Sequence, residues 1–313
     1  WLSMSVAAVR RLRENITSVF LGNALAADRV VACLLARGHL LIEDVPGVGK
    51  TVLARSLARS IDGSTARIQC TPDLLPSDVT GVTIYETGSE SFRFQPGPVF
   101  HNIVITDEIN RATPRTQSAL LEAMAEATVT IDGQPKTLPI PFMVIATQNP
   151  YEFEGTYFLP ENQLDRFLMR ISLGYPAPSD ESRIIERQPA RRDLLSLEPV
   201  MTVQDIESIQ KAVDEITLDQ SLVDYIIALA TATREHDELQ IGISPRGSLA
   251  LAQTARATAW MDERTYCIPE DVVSNVLAVC AHRIISRTTM HEGDTLTARR
   301  IMQQVLESVP SPS

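Results

Sequence analysis

The chain has 313 residues, with 28 Lys and Arg against 39 Asp and Glu and a net charge of -11. This length suggests about two domains. The 44% hydrophobic and 21% charged residues are typical of a globular protein with a sizeable core. A charge balance this acidic argues against non-specific binding to nucleic acid or anionic membrane, because both need a dense basic surface.

Other classes of protein are excluded by short patterns that the sequence lacks. No apolar run approaches the ~18–20 residues of a membrane span, and nothing resembles a signal peptide. Met4 is an obvious initiator, and whether Trp1-Leu2-Ser3 belongs to the natural chain is open. The cysteines have neither CxxC nor metal-ligand spacing, so we expect buried thiols in a reducing cytosol. They are Cys33, Cys70, Cys267 and Cys280.

The first chemical motif is a glycine-rich loop between an apolar run and a helical pattern. It reads Asp44-Val45-Pro46-Gly47-Val48-Gly49-Lys50-Thr51-Val52. Gly47 and Gly49 let successive N–H groups turn inward around a phosphate, and the helix that begins near Lys50 adds its own N–H groups. Lys50 is placed to reach the β- and γ-phosphates, and the Thr51 hydroxyl to ligate Mg²⁺. The pattern predicts a nucleotide-binding P-loop.

Two features around the loop are less regular. Asp44 stands where the strict P-loop pattern has glycine. We expect aspartate to be tolerated at this position because it can adopt left-handed backbone geometry. Upstream, the helical periodicity of residues 4–36 breaks at residues 19–23, which include Gly22. The break is either an ordinary turn or the segment that covers the adenine in P-loop motors.

Polar residues end two further apolar runs. Residues 102–106 lead into Asp107 and Glu108, and residues 142–147 lead into Asn149. Buried parallel strands deliver such side chains to the sheet edge where ligands bind. Asp107 is placed to hold Mg²⁺ together with Thr51, and Glu108 to polarise an attacking water. Asn149 either orients that water or contacts the γ-phosphate, unless it only forms a turn before proline.

The remaining patterns predict the architecture. Residues 81–95 and 128–138 alternate as β-hairpins, and two prolines in residues 175–180 precede acidic helical sequence. Beyond them we find helical periodicity and no convincing strand. The predicted fold is therefore an α/β P-loop domain at 1–178 and a smaller all-helical lid at 179–313. The α/β domain has a parallel sheet flanked by helices, with inserted hairpins.

The order of these motifs resembles that of the AAA+ ATPases, and six short segments resemble the MoxR family within them. The segments are Glu-Asp-Val-Pro-Gly-Val-Gly-Lys-Thr (43–51), Asp-Glu-Ile-Asn-Arg-Ala (107–112), Thr-Gln-Ser-Ala-Leu-Leu-Glu-Ala-Met (116–124), Ala-Thr-Gln-Asn-Pro (146–150), Glu-Gly-Thr-Tyr (154–157) and Leu-Asp-Arg-Phe (164–167). The resemblance is dense over residues 22–174 and thinner across the helical part. Aspartate at position 44 is usual in that family.

The resemblance implies ATP or ADP with Mg²⁺, bound between the subunits of a ring that is most often a hexamer. By motif, Lys50 and Thr51 are the Walker A residues. Asp107 and Glu108 are the Walker B residues, and Asn149 is sensor 1. Arg166 resembles the arginine finger that acts on the neighbour's nucleotide. Arg246, just after Pro245, resembles the sensor 2 arginine. Either arginine could instead form an ordinary surface ion pair.

The family also implies a chaperone-like role, in which ATP hydrolysis remodels partner proteins in the cytoplasm. Such partners often carry a von Willebrand A domain, and insertion of a metal or cofactor is a common theme. A nucleic-acid motor is an alternative, although the two hairpin turns supply a single lysine, Lys136. Another alternative is a scaffold that binds ATP without hydrolysing it. The intact Glu108 argues against this alternative. The client itself is not indicated.

Overall fold

A five-stranded parallel sheet organises the amino-terminal half of the chain. We describe it from a computed structural model that covers residues 2–88, 90–152, 154–187, 192–288 and 295–312. The strands are β1 (Leu40–Glu43), β2 (Ile61–Asp62), β3 (Thr65–Gln69), β4 (Gly81–Glu86), β5 (Ser91–Pro96), β6 (Ile103–Asp107), β7 (Thr128–Ile131), β8 (Gln134–Thr137), β9 (Met143–Gln148), β10 (Met169–Ile171), β11 (Met201–Thr202), β12 (Leu239–Ile241) and β13 (Ile285–Ser286).

Helices cover the sheet and form most of the carboxyl-terminal part. They are α1 (Leu2–Val19), α2 (Ala24–Leu35), α3 (Lys50–Arg59), α4 (Pro76–Thr80), α5 (Pro114–Glu126), α6 (Glu161–Leu164), α7 (Pro178–Arg187), α8 (Arg192–Leu195), α9 (Val203–Asp214), α10 (Gln220–Arg234), α11 (Pro245–Met261), α12 (Pro269–Val273), α13 (Val276–Cys280) and α14 (Thr295–Ser308). None of these helices is long and apolar enough to cross a membrane.

The register of the sheet brings the predicted polar residues to one edge. The strand order is β10-β1-β9-β6-β3, and every neighbouring pair is parallel. Every residue of β1, β6 and β9 is buried, as expected of strands that are covered on both faces. Glu43 lies opposite Gln148, and Gln69 opposite Asp107, so these strands end level with one another. The α/β fold predicted from the sequence is confirmed.

Both predicted hairpins form, and they contact each other. β4 pairs with β5 and β7 with β8, each antiparallel. The Thr83 hydroxyl donates to Asp132 over 2.5 Å, and the Lys136 ammonium lies 4.7 Å from the centre of the Phe94 ring. Ser89, in the turn of the first hairpin, lies outside the described residues.

The carboxyl-terminal part is helical, as predicted, but includes short strands that the sequence did not reveal. β11 pairs with β2, and β12 pairs with β13. Strands of two or three residues are too short to show periodicity, which explains the omission. The segment near the end of this part forms two short helices, α12 and α13, which are separated at Asn275.

One hydrophobic core joins the sheet to the carboxyl-terminal helices. The same cluster of buried side chains contains Leu12 of α1, Ile42 of β1, Ile206 of α9 and Ile301 of α14. The Gln210 side chain also donates to the backbone carbonyl of Leu34 over 2.8 Å. A division of the chain at residue 178 therefore stays a prediction. The four cysteines are free and buried within this fold.

His39 is a buried histidine that ties β1 to its surroundings. Its Nδ1 accepts from the Val144 N–H over 2.9 Å, which leaves Nε2 as the donor to the Met124 carbonyl over 3.2 Å. Burial lowers the pKa of His39 from 6.5 to about 4, although the hydrogen bond to Met124 opposes the shift. The folded chain therefore keeps this ring neutral at pH values where the unfolded chain protonates it.

We predict that this histidine makes the fold acid-sensitive. Because the unfolded chain takes up a proton that the folded chain refuses, stability falls as the pH drops from 6.5 towards 4. Between pH 7 and pH 5, the free energy of unfolding of His39→Gln, measured with urea, should fall by about 2 kcal/mol less than that of the wild type. His236→Gln, altered outside the core, is the control for replacing a histidine by glutamine. Equal pH dependence in His39→Gln and wild type would contradict the assignment.

Candidate functional site

The glycine-rich loop connects β1 to the amino terminus of α3 at the carboxyl edge of the sheet. Gly47 and Gly49 have φ values of 84° and 97°, in the left-handed region that glycine adopts without strain. A Cβ atom built on Gly47 would meet nothing within 4 Å, so the chain around it is open to a ligand. The first N–H groups of α3 have no partners within the helix and are available to phosphate oxygens.

The segment before α2 packs against the loop. The Phe20 ring is buried between two glycines: a Cβ on Gly22 would come within 2.8 Å of it, and a Cβ on Gly49 within 3.2 Å. Residues 20–23 break the helical periodicity because Asn23 caps α2, accepting from the Leu25 N–H over 3.0 Å. The break is thus a helix cap, and it also lies beside the P-loop.

Lys50 is held by backbone carbonyls. Its Nζ donates to the Asp44 carbonyl over 2.5 Å and to the Gln148 carbonyl over 3.1 Å. Burial lowers the pKa of Lys50, while the carboxylates of Asp44 and Glu108 oppose that shift. The ammonium therefore lies between β1 and β9, where a phosphate group would meet it at the sheet edge.

Asp44 holds the P-loop to the segment after β10. Its Oδ2 accepts from the Ser172 hydroxyl and from the Leu173 and Gly174 N–H groups, each over 2.8 Å. Its Oδ1 accepts from the Val45 N–H over 2.8 Å. Burial favours a higher pKa, but these bonds outweigh it and hold the pKa of Asp44 below its ordinary value.

Our backbone explanation for Asp44 was wrong, because this residue has no positive φ. The side chain, which glycine lacks, explains why aspartate stands at this position.

Asp107 and Thr51 form an oxygen-rich pair at the end of β6. The Thr51 hydroxyl donates to Asp107 Oδ1 over 3.2 Å, and Asp107 is buried. Its Oδ2 accepts from Arg67 Nε over 2.6 Å. Hydroxyl and carboxylate oxygens are the ligands that Mg²⁺ prefers, and Mg²⁺ sites commonly use few protein ligands alongside phosphate oxygens. The donor set fits a nucleotide-bound Mg²⁺.

Glu108 has a strained backbone and a partly exposed carboxylate. Its φ is 56°, in the left-handed region, and its N–H donates to the Thr147 hydroxyl over 3.1 Å. Strain of this kind is common at functional sites. Glu108 Oε2 accepts from Arg111 over 3.3 Å and from Gln69 over 3.5 Å. Both partners are exchangeable, since the pair with Arg111 is about 40% exposed on each side.

Asn149 follows β9 at the same edge, but its carboxamide oxygen is used in a turn. Asn149 Oδ1 accepts from the Tyr151 N–H over 3.1 Å, and the Asn149 carbonyl accepts from Asn110 over 3.3 Å. The turn that the sequence left open as an alternative is therefore present. Its Nδ2 donates to no residue of the described chain, so that group is available to a phosphate or a water.

Arg166 and Arg246 lie together at the opposite edge of the sheet, where the parallel strands begin. Arg166 comes just before β10, whose first residue pairs with the first residue of β1. Arg246 Nη1 is 3.8 Å from the carboxylate of Asp165, and both arginines line one surface cavity of about 280 Å³. The P-loop follows the far end of β1, four residues away, which is about 13 Å along a strand.

Three residues at the carboxyl edge were missed from the sequence: Arg67, Gln69 and Arg111. Gln69 ends β3 as Asp107 ends β6, and this alternation of an apolar run with a terminal polar residue could have revealed it. Arg67 gives no such signal, because its contact with Asp107 depends on the pairing of two strands 40 residues apart. Arg111 lies within the Asp-Glu-Ile-Asn-Arg-Ala segment, whose spacing alone does not show a contact with Glu108.

Comparison with protein families and known proteins gives consistent matches. The model of the ATPase family associated with various cellular activities (AAA) matches residues 39–169, and the AAA lid domain model matches residues 231–305. The protein YeaC of Bacillus subtilis is 46% identical over 96% of this chain and 93% of its own length. The Chaperone MoxR1 of Mycobacterium tuberculosis is 38% identical over 99% of this chain and 84% of its own.

More distant proteins match over similar lengths. The Protein MoxR of Methylorubrum extorquens is 30% identical over 97% of this chain and 95% of its own length. Among solved structures, a crystal structure of a candidate ATPase from Cytophaga hutchinsonii superimposes with a TM-score of 0.90. It covers 100% of this chain and 97% of its own at 34% identity.

We predict that Asp44 stabilises the P-loop through its side chain. Asp44→Ala removes four hydrogen-bond acceptor contacts of an ionised carboxylate and should lower the free energy of unfolding by about 2–4 kcal/mol. Thermal and urea unfolding measure this loss. Asp214→Ala, which breaks an exposed ion pair with Arg37 and an exposed hydrogen bond from Gln253, is the control, and its free energy of unfolding should fall by about 1 kcal/mol or less. Equal losses in the two variants would contradict a special role for Asp44.

Proposed function

Because this chain belongs to the MoxR family of AAA+ ATPases, we propose that it hydrolyses ATP at sites shared between neighbouring copies of itself and thereby remodels partner proteins. The observation that carries this proposal is the separation of its site residues. The P-loop, Asp107 and Glu108 lie at one edge of the sheet, whereas Arg166 and Arg246 lie at the other. One chain therefore offers two incomplete halves of a catalytic site.

The first half binds the nucleotide. The N–H groups of residues 47–52 and the Lys50 ammonium hold the phosphates, and the segment around Gly22 covers the base. Thr51 and Asp107 would hold Mg²⁺, which when bound draws negative charge from the phosphate oxygens. Arg67 donates to Oδ2 of Asp107, whereas the Thr51 hydroxyl donates to Oδ1, so Oδ1 is the oxygen that would face Mg²⁺.

Glu108 and Asn149 act on the attacking water. Glu108 orients the water and accepts hydrogen bonding from it, after exchanging its contacts with Arg111 and Gln69. The free Nδ2 of Asn149 donates to the water or to a γ-phosphate oxygen. Catalysis of this kind depends on position and electrostatics, without a covalent intermediate with the protein.

The second half is supplied by the adjacent copy. Arg166 and Arg246 of one protomer face the nucleotide of the next, where they neutralise charge that develops on the transferred phosphoryl group. Such a contact joins two different surfaces of identical chains, and a head-to-tail contact of this type closes into a ring when its rotation permits. We propose a ring, and a hexamer as its size.

The two hairpins are the proposed contact with the partner protein. The apolar face of the first hairpin is exposed, including Tyr85 at 53% and Phe92 at 75%, and these two rings pack edge to face. Residues of this type are common where proteins bind other proteins. A relative is named as a chaperone. We propose a chaperone-like role in the cytoplasm on partners with a von Willebrand A domain, including insertion of a metal or cofactor.

We predict that Arg166→Ala binds ATP normally but loses turnover by about 10³-fold or more, because the variant removes only the charge that stabilises the transition state. Binding is measured with a fluorescent nucleotide and turnover by phosphate release. Arg10→Ala, which breaks an exposed ion pair with Glu263, is the control and should keep full turnover. Hydrolysis by Arg166→Ala within a few-fold of wild type would remove this arginine from the mechanism.

We also predict that Glu108→Gln traps the ATP-bound form with its partner. The carboxamide keeps the shape of the side chain but cannot accept a proton, so ATP binds and persists. With ATP present, Glu108→Gln should retain a von Willebrand A-domain protein through repeated washing, whereas Lys50→Ala should not. Equal retention by both variants, or release unaffected by nucleotide, would argue against ATP-dependent remodelling.

A further inference from the structure

The segment that carries Arg166 is anchored by a buried arginine from a distant part of the chain. We call residues 165–168 the finger loop. Arg283 lies in the 3-10 turn Ala281–Arg283, and its side chain is only 3% exposed. Its guanidinium uses donors on every nitrogen. Nε donates to Asp165 Oδ1 over 2.8 Å, Nη2 to the carbonyls of Asp165 and Phe167 over 3.2 and 2.9 Å, and Nη1 to the Leu168 carbonyl over 3.0 Å. A further bond from Nη1 reaches the Val279 carbonyl.

These contacts hold the backbone on both sides of Arg166. The carbonyls of residues 165, 167 and 168 all accept from Arg283, so the residue between the first two has little freedom to move. His282 adds a second bond to the Phe167 carbonyl over 2.9 Å. The Arg166 side chain donates to the Leu121 carbonyl over 2.6 Å and meets no acidic side chain within the described residues. Its position therefore depends on the loop beneath it.

Asp165 connects the same anchor to Arg246. One oxygen of its carboxylate accepts from Arg283, and the other faces Arg246 Nη1 at 3.8 Å. The start of α11 packs directly on this pair, since a Cβ on Gly247 would lie 3.0 Å from Arg283 Cδ and 2.7 Å from the Ile243 side chain. The Asp165–Arg283 contact therefore links the backbone that carries Arg166 to the carboxylate that faces Arg246.

We infer that Arg283 and Asp165 are positioning residues that present Arg166 and Arg246, as one rigid unit, to the nucleotide of the adjacent subunit. This inference rests on the proposed function, because it needs a site shared between copies. Arg283 follows α13, and the finger loop precedes β10, so the pair makes the placement of the trans arginines depend on how the carboxyl-terminal helices sit on the sheet. A movement of those helices in one subunit changes catalysis in its neighbour.

The test uses Arg283→Lys, which keeps the charge but replaces three separate nitrogens with one, so a single ammonium cannot reach all the carbonyls that Arg283 binds. ATP affinity should stay within a few-fold of wild type, because the P-loop of the same chain is untouched. Turnover should fall by about 10²-fold, which is the cost of small misplacement of a catalytic group. Asp165→Asn is the second variant. It keeps an oxygen that can accept from Arg283 Nε, and its ATP turnover should fall by about 10-fold. Unfolding midpoints identify any variant that fails to fold.

Mixed rings separate an action on the neighbour from an action within the chain. Glu108→Gln subunits cannot hydrolyse ATP but carry an intact finger loop, so an adjacent Arg283→Lys subunit regains a complete site. In a random 1:1 mixture about one interface in four has this pairing, and activity should return to about a quarter of wild type. Arg166→Ala mixed with Glu108→Gln is the matched reference and should recover equally.

The outcomes distinguish this inference from the function on which it rests. Recovery of both Arg166→Ala and Arg283→Lys in mixed rings supports the anchor. Recovery of Arg166→Ala alone, or turnover of Arg283→Lys within threefold of wild type, overturns the anchor and leaves the shared site intact. Recovery of neither variant overturns the shared site, and the anchor with it.

Discussion

The parallel pairing of β1 with β10 is the constraint on which the arrangement of this protein depends. Because the two strands run in the same direction, the loop that follows β1 and the residues that precede β10 must lie at opposite edges of the sheet. The P-loop is at one edge and Arg166 at the other. No rotation of a side chain bridges a strand length, so Arg166 cannot reach the P-loop of its own chain in this arrangement.

Ion pairs and hydrogen bonds hold the polar side chains in place at the carboxyl edge. Asp107 meets Arg67, Glu108 meets Arg111, and Lys50 is bound by two carbonyl oxygens. These contacts satisfy groups that are partly buried and would be costly to leave unpaired. The contact of Glu108 is the most exposed of them, which leaves its carboxylate the easiest to redirect towards a water.

At the opposite edge, burial and hydrogen bonding are divided unequally among the arginines. Arg283 is buried with hydrogen bonds from each of its nitrogens, whereas Arg166 is partly exposed and Arg246 is mostly exposed. A desolvated guanidinium is stable only when its donors are matched, and here the matching groups are the backbone carbonyls that flank Arg166. Rigidity is thus concentrated beneath the arginines, and their guanidinium groups remain available. The shared hydrophobic core extends the same coupling from the sheet to the carboxyl-terminal helices.

Local patterns in the chain were sufficient for β1, β6 and β9, for the two hairpins and for the polar residues at the ends of those three strands. Apolar runs of four to six residues, the Gly47 and Gly49 turn and the Pro245 helix start are properties of neighbouring residues, so periodicity and turn chemistry reveal them. The roles of Lys50, Asp107 and Glu108 follow from such patterns as predictions.

Contacts between distant segments could not be found this way. The bonds of Asp44 to Ser172 and Gly174, of Arg67 to Asp107, and of Arg283 to Asp165 join residues 40 to 130 positions apart. Such pairs depend on strand order, register and the packing of helices on the sheet, none of which a local pattern encodes. The association of Arg246 with Arg166 is of the same kind, because it arises only when α11 folds back against the loop before β10.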